Sequence, residues 1–325
     1  MSILRILRNR KSLAGLILLA LFVFLAAFGP TLAPYSPLAI VGKPWLGPSS
    51  AHWFGTTQEG YDVWSQFLNG ARTIMIVSFL SGAIATVLSV VIGVAAGYFG
   101  GLADNFLSML ANIFLVLPAL PFLIVINSYL PAGGKASTAL MAAIISLTGW
   151  AWGARVLRSQ TLSLRRRDFV DAAGISGERA WRIIGFEIVP NLVPVIASSF
   201  LFTTLYAMGT YVALTFVGAV DVNSPWSWGS MLFWAQSDQA AASGAWAWFA
   251  APGIAVALLG TSLALLNFGI DEFINPRLRA AGLTRKGLHA AGLGRRRQTL
   301  GLTPVLRPAA ASAAASPVEI IEETV

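Results

Sequence analysis

Residues 13–28 read LAGLILLALFVFLAAF, and this stretch decides the fold class. It contains no charged side chain, and its hydrophobicity does not alternate from one residue to the next. A strand of a membrane β-barrel alternates in polarity over about ten residues, whereas a membrane helix is apolar along its whole length. Because a backbone in lipid must form its hydrogen bonds within the chain, a transmembrane α-helix is the structure that fits.

Five further stretches have the same character, and none of the six contains an Asp, Glu, Lys, Arg or His. Each is long enough to cross a hydrocarbon layer about 30 Å thick as a helix. The sequence therefore predicts an all-α membrane protein with six transmembrane helices, at residues 13–33, 73–97, 106–130, 136–154, 191–217 and 245–270.

The composition of the 325 residues supports this fold class, with 56% apolar and only 11% charged residues. A soluble domain carries about 25% charged residues. The basic residues before the first apolar run give it some likeness to a signal peptide, but the length of the run and the spans that follow favour an uncleaved first helix. The chain has no Cys, which excludes disulfides and thiolate metal sites.

The basic residues are distributed unequally between the two sides of the membrane. With six spans and the N-terminus inside, all of the 22 Lys and Arg except Lys43, Arg72 and Lys135 fall on one side. This asymmetry is typical of the cytoplasmic side and predicts that the N and C termini are both cytoplasmic. It also explains the net charge of +8 by topology and by contact with anionic membrane lipid, so we expect no nucleic-acid partner.

The spans and their connections divide the chain into four regions. Residues 1–12 form a cytoplasmic N-terminal arm, and residues 13–71 contain the first transmembrane helix and an outer segment. Residues 72–280 form the membrane core, which includes a cytoplasmic loop at 155–190. Residues 281–325 form a basic tail of low complexity, which is expected to be disordered because it cannot bury a core.

Prolines and glycines predict two local features of the core. Pro118 and Pro121 lie within the third predicted span, where proline invites a kink that either serves packing or lines a pathway. In the 155–190 loop, Gly174 and Gly177 interrupt helix-compatible runs. This pattern predicts two short helices on the membrane surface, joined by a glycine turn.

Several kinds of chemistry are missing from the sequence. There is no G-x-x-x-x-G-K-[ST] phosphate loop, no G-x-S-x-G nucleophile motif, and only two histidines. The apolar spans also lack the ionisable residues that proton- or ion-coupled transporters place at membrane depth. We therefore expect neither a stand-alone enzyme nor a metal site, and an active transporter of this composition would take its energy from another chain.

Residues 171–190, DAAGISGERAWRIIGFEIVP, resemble the loop signature of permease subunits in binding-protein-dependent ABC importers. That signature reads E-A-A, three residues, Gly, nine residues, then I/H-x-L/V-P. Asp171-Ala172-Ala173, Gly177 and the EIVP stretch ending at Pro190 take these places. Asp171 stands where Glu is usual, and Glu187 stands where Ile or His is usual.

A second stretch narrows the resemblance to the C-type subunit of the dipeptide/oligopeptide permease family. Residues 52–72, HWFGTTQEGYDVWSQFLNGAR, are similar to the family pattern H-x-x-G-T-D-x-x-G-R-D-V-x-S-R-x-x-x-G-A-R. Thr57, Tyr61 and Gln66 replace the expected Asp, Arg and Arg. The motifs AAGYFGG, LTFVG, SWGSML, APGIAVAL and INPRLR follow in the expected order, so the likeness covers about residues 1–280.

The resemblance implies a type I ABC importer fold and a defined set of partners. These are a second homologous permease subunit, two cytoplasmic ATPase subunits and an extracytoplasmic solute-binding protein, in a bacterial or archaeal plasma membrane. ATP and Mg would bind to the ATPase subunits, and this chain would bind no cofactor. The 155–190 loop would dock on an ATPase rather than merely rest on lipid. The residues implied in coupling are Phe169, Asp171, Ala172, Ala173, Gly174, Gly177, Glu187 and Pro190.

Tryptophans are concentrated in the segments predicted to lie outside the membrane. Trp226, Trp228 and Trp234, in SPWSWGSMLFWAQSDQ, are weaker candidates for contact with the binding protein. They also fit the aromatic belt of a membrane interface, or stacking platforms for sugar rings. The resemblance implies import of peptides or related small solutes; oligosaccharides remain an alternative cargo, and a secondary transporter or channel is a distant alternative.

Overall fold

A computed structural model describes residues 10–129, 138–223 and 225–274 of the chain, except the side chains of residue 10 and of residues 271–274. The described residues are mostly helical and contain no β-strand, only two isolated bridges in the outer segment. The predicted N-terminal arm and C-terminal tail lie almost wholly outside the described residues. The helices are α1 (Arg10–Leu32), α2 (Val63–Phe99), α3 (Gly101–Val116), α4 (Ala119–Ser128), α5 (Thr138–Leu164), α6 (Asp168–Ile175), α7 (Ala180–Arg182), α8 (Val189–Phe216), α9 (Trp228–Ser237) and α10 (Trp246–Ile274), with a π-helical segment (Ile183–Ile188) between α7 and α8.

Five helical spans in the described residues are long and apolar enough to cross a membrane, and a bent pair of helices makes a sixth. This confirms the predicted all-α membrane fold, in which the sequence predicts six transmembrane helices. The bent pair is α3 and α4, which meet at 88°. The predicted third span at 106–130 is therefore divided into two helices near its prolines.

Proline accounts for the break between α3 and α4. Leu117 adopts an extended conformation, with φ −62° and ψ 127°, as expected for a residue that precedes a proline. Pro118 is itself extended and precedes the first residue of α4, and Pro121 lies in the first turn, where a missing N–H does little harm. The two prolines thus start a new helix in a new direction and do not kink an existing one.

The fifth span also differs from the prediction, because it begins at Ala180 and runs 37 residues to Phe216 instead of starting at 191. The second short surface helix expected in the 155–190 loop is in fact the first part of this span. Its π-helical segment precedes Pro190, which has no N–H to donate to a carbonyl four residues earlier. Val189 N–H donates instead to the carbonyl of Ile184, five residues back.

Helix α2 lies at the centre of the bundle and packs along α5 and α8. The contact depends on small residues. A methyl group added at Gly93 would collide with the carbonyl of Ala154 in α5, and one added at Gly97 would lie 2.7 Å from the Cβ of Thr161. Small residues let membrane helices approach closely and gain dispersion contacts that lipid chains cannot replace.

Buried hydroxyl groups connect the same three helices. Ser81 Oγ donates to the carbonyl of Ala142 (3.0 Å), and Ser89 Oγ donates to the carbonyl of Trp150 (2.6 Å). Thr86 of α2 and Thr203 of α8 share a hydrogen bond of 3.1 Å. Each bond links a buried hydroxyl to a neighbouring helix, and such interhelical bonds help hold membrane helices together.

Helices α1 and α10 form a second pair beside this core. Ser262 Oγ donates to the carbonyl of Gly15 (2.9 Å), and a methyl group at Gly269 would collide with Ser12. Much of the remaining surface of α1 is apolar and exposed, including Ile17 and Phe28. Such a surface is suited to lipid or to another membrane helix.

The replacement Gly93→Ala should destabilise the protein, because the added methyl group would meet a backbone carbonyl that cannot rotate away. We expect a loss of about 1–3 kcal/mol and a lower thermal midpoint for the purified chain in detergent. Gly209→Ala is the matched control, since no atom lies within 4 Å of its added methyl group and it is exposed in the middle of α8. Equal midpoints for the two variants would contradict close packing between α2 and α5.

Candidate functional site

The candidate site lies at the end of the bundle that carries α6, which we call the inner end. One side of α6 is anchored there. Val170 is buried in a cluster with Val94 of α2, Leu157 of α5 and the π-helical residues Ile183 and Ile188. The short helix is therefore packed against elements from three spans.

The opposite side of α6 is exposed. Phe169 is 39% exposed and Ile175 is 89% exposed, and Asp171, Ala172 and Gly174 lie in the same exposed surface. An apolar side chain as free as Ile175 at the end of a surface helix is suited to a protein partner or to the membrane surface. Ala172 and Gly174 have short side chains or none, so they leave the helix backbone open to close approach.

The turn after α6 has the geometry of a Schellman motif. Gly177 is in the left-handed region with φ +79°, its N–H donates to the carbonyl of Gly174 (3.0 Å), and the N–H of Glu178 donates to the carbonyl of Ala173 (3.1 Å). A left-handed position after a helix favours glycine because a Cβ would be strained there. The three residues between Ala173 and Gly177 are thus the last part of the helix and its cap.

This geometry corrects the predicted role of Gly174, which lies inside α6 and does not break the helix. The glycine turn itself is confirmed at Gly177. Val170 and Ile183, two apolar residues of the loop, are buried in the core and do not face outward. The exposed Ile175 and Phe186 were missed; the signal for Ile175 was an apolar residue immediately before the Ser-Gly end of the helix.

The second half of the motif lies where the π-helical segment passes into α8. Glu187 is half-buried, and its carbonyl accepts a hydrogen bond from the side chain of Asn191 (2.7 Å). Pro190 is exposed, and Ala173 is half-buried against the cluster around Val170. The shared cluster holds both halves of the motif at the inner end, although nine residues separate Gly177 from Glu187.

A groove of about 670 Å³ runs beside α6. It is lined by Tyr98 and Phe99 at the end of α2, by Arg165 after α5, and by Asp171 and Ile175 of α6. Near this end of the bundle, Arg158 of α5 makes an ion pair with Asp104 of α3, including an Nη2–Oδ2 contact of 2.7 Å. The ion pair fastens the first half of the broken span to α5.

The residues of the second sequence motif form a cap at the opposite, outer end. Asp62 is the N-cap of α2, and its Oδ2 accepts hydrogen bonds from the N–H (2.8 Å) and the hydroxyl (2.7 Å) of Ser65. Its Oδ1 accepts one from His52 Nδ1 (2.9 Å), and the side chains of both residues are buried. The His and Asp of this motif therefore join the outer segment to the longest helix.

The three candidate tryptophans do not share one environment. Trp226 and Trp228 are buried, and their indole N–H groups donate to the carbonyls of Gln66 (3.2 Å) and Phe67 (2.9 Å) in α2. Neither side chain is exposed at the protein surface, where a binding protein would dock. Trp234 is half-buried and donates to Asn223 Oδ1 (3.1 Å), so the predicted contact with a binding protein rests on Trp234 among the three.

Comparison with known families agrees with this arrangement. Residues 89–280 match the model of the binding-protein-dependent transport system inner membrane component. The chain belongs to that family. Residues 1–50 match the N-terminal transmembrane domain of oligopeptide transport permease C. Both matches confirm the resemblance found in the two motifs, and they make the chain a multi-pass membrane permease subunit, which is not itself catalytic.

Curated relatives of this permease cover most of its length. The dipeptide transport system permease protein DppC of Bacillus subtilis (strain 168) is 30% identical over 277 residues, which is 85% of this chain and 84% of the relative. DppC of Alkalihalophilus pseudofirmus is 31% identical over 84% of this chain and 88% of the relative. The oligopeptide transport system permease protein OppC of Bacillus subtilis is 31% identical, over 86% and 89%.

The outer cap of the permease yields a direct test. Asp62→Ala removes the N-cap of α2 and leaves the buried His52 without its partner, so we expect a loss of about 2–4 kcal/mol. The thermal midpoint of the purified chain should fall by several degrees. Asp171→Ala is the control, because Asp171 is exposed on α6, and its midpoint should stay near that of the wild type. A small effect of Asp62→Ala would show that the cap contributes little.

Proposed function

We propose that this permease forms half of the translocation pathway of an ATP-driven importer of peptides. The curated relatives named above are dipeptide and oligopeptide transport permeases, which supports peptides as the cargo and gives no support to oligosaccharides. The partners would be a second permease subunit, two cytoplasmic ATPase subunits that bind ATP and Mg, and a solute-binding protein outside a bacterial or archaeal plasma membrane. The inner end of the bundle would face the cytoplasm, in agreement with its basic residues.

The observation that carries this proposal is the two-sided packing of α6. Its exposed side, with Phe169 and Ile175, would enter a groove on the ATPase, as amphipathic helices do in other complexes. Its buried side, through Val170, contacts a cluster that includes Val94 and Leu157. Because these residues belong to α2 and α5, a displacement of α6 by the ATPase would move the spans and not only the loop.

The groove beside α6 also supports docking. It opens between the ends of α2 and α5 and the exposed side of α6, and its wall combines the aromatic rings of Tyr98 and Phe99 with the charge of Arg165. A helix merely resting on lipid would need a continuous apolar side toward the membrane. The exposed surface of α6 instead mixes apolar side chains with Asp171 and with small residues, as is usual for a surface that meets another protein.

Ile175→Asp should weaken attachment of the ATPase without unfolding the permease, because the side chain is almost wholly exposed. An apolar anchor at the centre of an interface contributes about 2 kcal/mol or more, so we expect roughly 30-fold weaker association. The measurement is the titration of purified ATPase against permease in nanodiscs. Ile40→Asp is the matched control, since Ile40 is 73% exposed at the outer end. Equal affinities for the two variants would contradict docking through α6.

Gly177→Ala should affect the coupling of ATP hydrolysis to peptide transport more than it affects attachment of the ATPase to the permease. Alanine can enter the left-handed region only with strain of about 1 kcal/mol or more, which would shift the turn that fixes α6. In proteoliposomes with binding protein, we expect fewer peptides transported for each ATP hydrolysed. Gly209→Ala is the control, since it lies in α8 outside the coupling loop, has open space around its added methyl group and should keep the wild-type ratio.

The same proteoliposomes separate the importer from the other classes of transporter. Uptake that requires ATP and the binding protein supports the proposal. Uptake driven by an ion gradient without ATP would indicate a secondary transporter, and passive flux that is indifferent to Gly177→Ala would indicate a channel.

A further inference from the structure

The outer end of the bundle contains a cavity of about 370 Å³ that none of the coupling features involves. Small-molecule sites usually have volumes of about 300–1,000 Å³. Four parts of the chain form this cavity: the outer segment after α1, the start of α2, the segment before and within α9, and the start of α10. The residues that matter for its chemistry are Glu59, Tyr61, Gln66, Trp226, Trp234 and Trp248.

Two side chains at the floor of the cavity have buried polar atoms without a hydrogen-bond partner. Gln66 is 0% exposed, and its Nε2 donates to the carbonyl of Pro37 (2.9 Å). A carbonyl only accepts, so this bond fixes the orientation of the amide and leaves Oε1 as an acceptor without a donor. Trp248 is 1% exposed, and its Nε1 is a donor without an acceptor.

Unpaired buried groups of this kind are rare in native proteins, since each costs about 1–3 kcal/mol. A ligand that satisfies both must present a hydrogen-bond donor to Gln66 and an acceptor to Trp248. Both atoms are shielded from solvent in this structure, so a ligand can bond to them only if side chains around the cavity rearrange.

One carboxylate of the cavity wall adds a charge requirement. Glu59 lines the cavity and is exposed, whereas Asp238 follows α9 and does not line the cavity. Within the described part of the chain, neither has a Lys or Arg at ion-pair distance. Burial, and secondarily the negative charge of Glu59, raises the pKa of Asp238 above its ordinary value. The two carboxylates therefore repel each other, and a bound cation would relieve this repulsion.

The aromatic side chains fit the same kind of ligand. Trp226, Trp234, Trp248 and Tyr61 surround the cavity, and the face of an indole ring attracts an ammonium group. A sugar could stack on these rings and exchange hydrogen bonds with Gln66 and Trp248, but it would leave Glu59 without a counter-charge. The free amino end of a peptide supplies an ammonium group, N–H donors and a carbonyl acceptor within a few bonds of one another.

We propose that this outer cavity binds the amino-terminal end of the transported peptide. The ammonium group lies near Glu59, a peptide N–H or ammonium N–H donates to Gln66 Oε1, and the first carbonyl accepts from Trp248 Nε1. This assignment rests on the proposed function, since it takes the peptide as cargo. It makes the outer end of the permease a receiving site for the peptide after its release by the binding protein.

The test measures binding of trialanine and N-acetyl-trialanine to the assembled importer in nanodiscs, without binding protein, by isothermal titration calorimetry. The wild type should bind trialanine about 10-fold more tightly than the acetylated peptide, the usual scale for one charge-assisted hydrogen bond. Glu59→Gln should bring trialanine to the level of the acetylated peptide. Trp248→Phe, which keeps an aromatic ring but removes Nε1, should weaken both peptides several-fold.

Two control variants lie at the outer end but outside the cavity lining. Trp53→Phe matches Trp248→Phe, because Trp53 is 62% exposed, and Gln58→Ala is adjacent to Glu59. Both should bind trialanine as the wild type does. If Trp248→Phe lowers the thermal midpoint, the Glu59→Gln variant still decides the question, since Glu59 is exposed and a glutamine oxygen can keep the hydrogen bond that Glu59 Oε2 accepts from Thr57 Oγ1.

Several results would overturn the assignment. Equal binding of trialanine and its acetylated form would show that the cavity does not recognise the amino end. Competition by maltotriose would identify a sugar site, and butylammonium binding as tightly as trialanine would identify a site for an isolated cation, such as a lysine of the binding protein. ATP-driven uptake of trialanine is measured separately: uptake without cavity binding refutes the site alone, whereas absence of uptake refutes the proposed function.

Discussion

Helix α2 approaches α5 so closely at Gly93 that no methyl group fits between them, and the rest of the structure depends on this contact. In lipid there is little hydrophobic gain when two apolar helices meet, so close packing and hydrogen bonds must hold them together. Glycines on α2 allow the approach, and the hydroxyls of Ser81 and Ser89 then reach backbone carbonyls of α5. The central helix is thereby fixed to its neighbour along most of the membrane.

The two ends of α2 connect this contact to the two functional regions of the molecule. At the inner end Val94 enters the cluster that anchors α6 through Val170. At the outer end Asp62 caps the helix, and four residues later Gln66 enters the floor of the outer cavity. One continuous helix of 37 residues therefore joins the surface proposed for the ATPase to the cavity proposed for the peptide.

Much of this arrangement could be predicted from sequence, and the failures have physical causes. The spans could be predicted from the apolar runs, because a charged residue in lipid is costly and each span must therefore exclude charge within its own sequence. The disturbance at Pro118 was predicted at the right position but as a kink, whereas the structure has two separate helices there. The sequence shows that a proline disturbs a helix, but it does not show whether the helix continues in the same direction. The start of the fifth span at Ala180 was missed because polar residues there, such as Arg182, precede the apolar run.

In the candidate site, too, some features could be predicted from local sequence, whereas others depend on tertiary packing. The Gly177 turn was predictable, because a left-handed cap is encoded by the residue that occupies it. The inward orientation of Val170 and the exposure of Ile175 depend on what α6 packs against, which no local pattern contains. The burial of Trp226 and Trp228 also depends on tertiary packing. Tryptophans in an outer segment suggest an interface, but the indole N–H groups of these two residues donate to backbone carbonyls of α2.

Polar atoms without partners distinguish the outer cavity from the exposed surface of α6. On α6 the peptide groups of the Gly177 turn have partners, and what is left exposed is apolar surface, which a protein groove can cover. At the outer cavity Gln66 Oε1 is an unsatisfied acceptor and Trp248 Nε1 is an unsatisfied donor, and Glu59 lies in the same cavity wall. An exposed apolar surface is suited to a protein partner of complementary shape. A cavity with a few unsatisfied polar atoms is suited to a small ligand with complementary hydrogen-bonding groups. On the two proposals made above, the apolar surface of α6 would engage the ATPase and the outer cavity would receive the solute.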